Sequence, residues 1–301
     1  MDFIIWVVTN IGIGFVNLFY VIFHPSAWLN WSDKLVMMHF IYYGASKELF
    51  FVIFDIFVII SVVGAFYRKF LWALVRGFEA FANTVGRFFA WASLFMVMQQ
   101  IMIVFLQRIF KVSEIGISPF GFAFTRDLSW YGEELKFYNA MIVCLCASYT
   151  FVQGGHVRVD LFYAGMRHRA KKIADMIGSL FFIIPFMTII WMFGWFFMWR
   201  HLVTPKVSVA DSLTRLEAKS RLLKWNVETI GFSPNGFDGY FLFKILLISF
   251  AGMMFIQGLT FFWRSMLEFI EGESSADKYL QKDHLNDDTA EVVATNSLKV
   301  G

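Results

Sequence analysis

Two groups of residues in this 301-residue chain have types and spacing that could do chemistry. One is the aromatic and acidic set Trp130, Glu133 and Glu134, and the other is the polar run His156-Val157-Arg158-Val159-Asp160. The chemistry in both is electrostatic pairing. Residues 128–138 can be helical from the cap-like Asp127 or Ser129 onward, which puts both glutamates in the early turns, where a helix dipole favours anions. In the second group Asp160 can be held against Arg158 or a basic neighbour while His156 caps or bridges, so that polar groups at membrane depth are paired. That arrangement would be an assembly clasp; the bland alternative is a solvated charge cluster that only sets topology. The glutamates pose the same choice, beginning with a plain solvated face.

Bond-making chemistry finds no constellation. The two cysteines, Cys144 and Cys146, are two apart on one helix, which turns them to different faces, and they fit the role of small packing residues. The six histidines lie near span ends, in loops or in the tail, whereas haem in a helical bundle needs imidazoles well inside facing helices. There is no HExxH, GxSxG or phosphate-cradling glycine loop. No catalytic residue, cofactor, metal or nucleic-acid partner is expected, and the chain is not expected to be an enzyme.

The elements that position these residues are six apolar runs. Residues 3–23, 88–106, 137–155, 176–199 and 245–263 contain no Asp, Glu, Lys or Arg, and 49–67 contains only Asp55. Each approaches the ~17–25 residues that cross ~30 Å of hydrocarbon. With 58% apolar and 16% charged residues, the chain is far from the composition of soluble domains, and a soluble enzyme is excluded. Trp6, Tyr67, Tyr138, Trp199, Tyr240 and Trp263 sit at or near run ends as interfacial anchors. The first run lacks a basic flank and a small-residue cleavage site, so it is expected to be a retained helix. The expected fold is an all-α integral membrane protein with six spans and interfacial amphipathic helices.

Lys and Arg concentrate in residues 68–87 and 156–175, which makes these segments cytoplasmic together with both termini. Residues 200–239 also carry six basic residues, offset by four acids, so the bias is one of density. Within 70–85, Leu71, Leu74, Val75, Phe78, Ala82 and Val85 recur at spacings of three and four, as in an amphipathic helix along the inner interface. Residues 268–301 are acidic and poor in large apolar side chains, the composition of a disordered tail. Inside the spans, Asp55 is either an ion or proton site or a paired packing residue. Gln99, Gln100 and Gln257 are expected to hydrogen-bond to other helices or to a partner.

The segment 129–163, with Trp130, Glu133 and Glu134 before a helix and His156, Val157, Val159 and Asp160 after it, resembles the small permease subunit of tripartite ATP-independent periplasmic (TRAP) transporters, the DctQ type. Tyr149-Thr150 and Phe255-Ile256-Gln257-Gly258 are similar to the subgroup named for mannitol and chloroaromatic compounds. The resemblance implies a four-helix domain at 88–267, preceded by an extra hairpin at 1–67 and an interfacial segment at 68–87. It also implies a multi-pass protein of the bacterial inner membrane whose partners are a large permease subunit, a periplasmic solute-binding protein and the lipid bilayer. In that setting the chain would be a non-catalytic scaffold of sodium-driven organic-acid uptake, with Glu133 and Glu134 in an arm helix bracing the large subunit. A self-sufficient channel or transporter, or a quinone- or haem-binding respiratory anchor, are the other classes. The lone Asp55, the lack of an evident repeat and the misplaced histidines disfavour them.

Overall fold

A computed structural model describes residues 2–117, 124–154, 163, 165–231, 233–276 and 279. Six of its helices are long and apolar enough to cross a membrane, and the fold is all-α apart from two small antiparallel ribbons. In chain order the helices are α1 (Asp2–Phe23), α2 (Ser26–Leu29), α3 (Lys34–Tyr43), α4 (Lys47–Phe66), α5 (Arg68–Val104), α6 (Leu128–Val152), α7 (His168–Gly178), α8 (Ile184–Trp199), α9 (Leu213–Ser220) and α10 (Tyr240–Glu271). Strands β1 (Glu114–Ile117) and β2 (Phe124–Asp127) pair with each other, as do β3 (Val203–Thr204) and β4 (Lys224–Trp225).

Helix α10 is the hub and packs on α4, α5, α6, α7 and α8. Helix α5 packs most extensively on α6, where Gly86 matters: a Cβ there would collide with the Tyr149 side chain. The amphipathic stretch at 68–87 is not a separate interfacial helix. It is the first half of α5, whose 37 residues span about 55 Å at ~1.5 Å per residue, well beyond ~30 Å of hydrocarbon. Its buried positions Leu71, Val75, Glu79, Ala82 and Gly86 form one stripe at helical spacing. Past Gly86 few side chains are buried, and Phe88, Trp91, Phe95 and Met98 face outward.

Pro185 has a local consequence. Its ring supplies no N–H for the ladder, and the turn before α8, Ser179–Ile183, is wound as a π turn, so α7 and α8 form one path from His168 to Trp199 with an irregularity at the proline. The last helix runs to Glu271, past the boundary at 267.

At one end of the bundle, here called the cap end, the segments 24–46 and 200–239 fold together. Met37, Met38 and Ile41 of α3 meet Trp195, Phe196 and Trp199 of α8, Val203, Val207 and Leu216. Ring nitrogens lock the join: the Trp195 indole donates to the Ile41 carbonyl at 2.9 Å and that of Trp191 to the Gly44 carbonyl at 2.8 Å. A second apolar cluster lies toward the opposite end, where Leu71, Trp72 and Val75 of α5 meet Trp263 and Leu267 of α10, with Phe57 and Ile60 of α4 against them. Residues 1–67 therefore supply α3 to the first cluster and α4 to the second. Helix α1, by contrast, packs on α4 and buries only Gly14.

Candidate interface sites at the two ends of the bundle

At the cap end Trp130, Glu133 and Glu134 come together near the start of α6. Asp127 is at the N-cap position in extended conformation, with no side-chain capping bond. Glu133 accepts the backbone N–H of Phe237 at 3.0 Å, and the Trp130 ring meets the Phe237 ring edge-on at 5.3 Å. This ties the N-terminal part of α6 to the loop that enters α10. Glu134 turns the other way and accepts Gln99 Nε2 of α5 at 2.9 Å, while the same amide donates to the Tyr131 carbonyl at 3.2 Å. The two glutamates thus join α6 to α5 and to the loop that enters α10. Arg126 lies over the Trp130 ring at 5.8 Å and 4.0 Å from Asp238, so the loop is held from both sides.

The opposite end carries a buried charge network. The Arg264 guanidinium donates through Nε to Glu79 Oε1 at 2.7 Å and through Nη2 to Oε2 at 2.5 Å, a two-point geometry that fixes both side chains. Glu268, one turn on, faces Arg264 Nη1 at 3.6 Å and pairs directly with Lys172 of α7. Lys172 is also 3.8 Å from Asp175, which accepts the Tyr163 hydroxyl at 2.9 Å. Aromatic rings line the network: Arg264 lies 5.4 Å from the Trp72 ring, whose indole donates to Glu271 at 3.1 Å. Helices α5, α7 and α10 are pinned together by charges that are costly to bury unless paired.

His156, Arg158 and Asp160 lie outside the described residues. The network described at this end is made by other residues, Glu79, Arg264, Glu268 and Lys172, none of which stood out in the sequence. One signal was available. Glu79 is the single acid among four basic residues at 68–87, and it falls on the apolar stripe of an amphipathic helix. An acid there needs a cation from another element.

Within the spans the polar residues separate. Gln99 is engaged as described, whereas Gln100 is exposed on the outer face of α5. Gln257 is buried in α10 and its Oε1 has no hydrogen-bond partner among the described residues. Asp55 is 1% exposed, in the α1–α4 contact, with Oδ2 unpartnered among the described residues. A Cβ at Gly14 would strike that oxygen, so the glycine is what lets α1 lie against the carboxyl. Among the described residues no three His, Cys, Asp or Glu side chains cluster as metal ligands.

A family model for the DctQ component of tripartite ATP-independent periplasmic transporters matches residues 121–213, just under a third of the chain. The match runs from β2 through α6, α7 and α8 to the start of α9, and it names no solute subgroup. No curated protein and no solved structure matches.

Proposed function

We propose that this chain is the small membrane subunit of a TRAP transporter and acts there as a non-catalytic scaffold. Its partners in this reading are a large permease subunit, which carries the solute and sodium sites, and a soluble periplasmic binding protein that delivers an organic acid or similar solute. The observation that carries the reading is the DctQ match over 121–213, set within six helices of membrane-spanning length and composition.

The way the polar side chains are used supports a bracing role. The charges at each end of the bundle knit α5, α6, α7 and α10 together, the economy of a stiff body and not of a solute path. The exposed apolar face of α5 beyond Gly86, with Gln100 on it, offers a surface for a helix of the large subunit, since an amide at membrane depth gains by meeting another helix. Trp130, Glu133 and Glu134 would then act by fixing the arm of α6 that meets the partner, and His156, Arg158 and Asp160 by assembly at the cytoplasmic face. In this reading both termini are cytoplasmic in the inner membrane. Tyr149-Thr150 and Phe255-Ile256-Gln257-Gly258 are the residues that favour the mannitol and chloroaromatic subgroup.

Reconstitution tests the division of labour. Liposomes holding the large subunit with this chain should take up solute under an inward sodium gradient when the binding protein is present, and liposomes with this chain alone should take up none. Uptake by the chain alone would overturn the scaffold reading.

A further inference from the structure

An apolar groove of about 570 Å³ runs along α8 toward the cap, walled by Ile189, Phe193 and Phe197 of α8, by Leu247 of α10 and by Val207 of the cap loop, with Arg200 among its lining residues. From Ile189 to Arg200 the helix rises roughly 16 Å at ~1.5 Å per residue, the length scale of one leaflet's hydrocarbon. Such a trough, apolar along its length and cationic where the helix leaves the membrane, has the polarity of a phospholipid.

The cationic end is built and unspent. Arg200 is exposed and makes no ion pair among the described residues. Lys244 is 3% exposed, and its ammonium has no hydrogen-bond acceptor among the described residues. It rests instead 4.1 Å from the Phe197 ring and 4.4 Å from the Tyr240 ring, so Phe197 is shared between the groove wall and the ammonium's cage. The acid of this neighbourhood, Glu228, lies 3.5 Å from Lys206 and 3.4 Å from the His201 ring and also attracts Lys244 at longer range, so one carboxylate is shared among the cations Arg200, Lys206 and Lys244. Asp211, near the mouth, is taken by Lys219 at 2.6 Å and Arg215 at 3.4 Å. Positive charge is therefore in excess where α8 and α10 meet the cap, with Arg200 on the groove and Lys244 behind its Phe197 wall.

We infer that this groove is a binding site for an anionic phospholipid, its acyl chain lying along Ile189, Phe193 and Leu247 and its phosphate drawn to the cations Arg200 and Lys244. The headgroup supplies counter-charge where a single carboxylate serves several cations, and the tail covers apolar wall. The site belongs to this chain's own surface and does not depend on the transporter reading.

The test is lipid retention by the full-length chain in mild detergent, titrated with dioleoyl phosphatidylglycerol or dioleoyl phosphatidylcholine and read by native mass spectrometry and by thermal unfolding. Phosphatidylglycerol should bind preferentially and raise the unfolding temperature. Each cation removed should weaken it about fivefold, the fold-change of about 1 kcal/mol per basic residue near an anionic headgroup. Arg200→Gln should show one such loss, and Arg200→Gln with Lys244→Met should bind both lipids equally. Ile189→Trp, which narrows the groove with both cations in place, should weaken phosphatidylglycerol as well. Equal binding of the two lipids by the wild type, preference retained in the double variant, or binding of inorganic phosphate as tight as that of the lipid would each overturn the proposal.

Discussion

Replacing Glu79 by Gln would leave the Arg264 guanidinium buried and without its two-point partner. The side chains of this pair are 7% and 4% exposed, and both contacts lie within hydrogen-bond distance at 2.7 and 2.5 Å. Breaking a buried pair by removing one partner costs about 3–5 kcal/mol. Glu268, 3.6 Å from Nη1, remains to share the charge, which puts Glu79→Gln at the lower end, about 3 kcal/mol. Arg264→Met strands Glu79 with no such reserve and should cost at least as much. The double variant Glu79→Leu/Arg264→Met removes both charges and fills the space with apolar atoms, so it should lie within about 1 kcal/mol of the wild type. The assay is reversible unfolding in mixed micelles by denaturing detergent, followed by circular dichroism, with the wild type, Glu79→Leu, Arg264→Met and their double variant forming a double-mutant cycle. A double variant costing the sum of the two singles would refute the coupling, and a Glu79→Gln cost under about 0.5 kcal/mol would refute the burial argument.

Further consequences follow from individual contacts. Removing residues 1–24 takes away a helix that packs on α4, and thermal unfolding of the remainder should change little. Removing 1–66 uncovers both apolar clusters, and that protein should aggregate or unfold at markedly lower temperature; equal stability of the two truncations would contradict the packing described. Gly14→Leu should force α1 off Asp55 and speed protease cleavage in the 24–33 segment, with Asp55→Ala in the same chain restoring part of the protection. Glu133→Ala removes the acceptor of the Phe237 N–H, a change worth about 1–3 kcal/mol locally. Amide exchange across 233–239 should then accelerate by tenfold or more, and unchanged exchange would show that the loop is held by other means.

The spans were legible because hydrocarbon demands long uncharged runs, and five of the six runs carry no charge at all. What the hydropathy pattern hid was continuity. Arg68, Lys69, Arg76 and Arg87 mark 68–87 as a connecting segment, yet the spacing of Leu71, Val75 and Ala82 keeps the helix going straight into the next span. The cap was hidden for a different reason. Met37, Met38 and Ile41 acquire a core only against Trp195, Trp199 and Leu216, more than 150 residues away, and no local pattern reports such a partner. Trp130, Glu133 and Glu134 were visible as a set, but their use was not. Whether a glutamate near a helix start meets water or the N–H of a loop a hundred residues on depends on tertiary packing. The charge network of Glu79, Arg264, Glu268 and Lys172 was divided in the sequence between a basic loop, the end of a span, an acidic tail and another basic segment, so that no single window held two of its three helices.

The scaffold reading requires a stoichiometric membrane partner. The direct measurement is purification of the tagged chain from its native membranes in mild detergent, with mass spectrometric identification of what accompanies it. A many-span permease present at near-equal amount, and retained through gel filtration, is the predicted result; the chain migrating alone, or with a coloured cofactor, would contradict it.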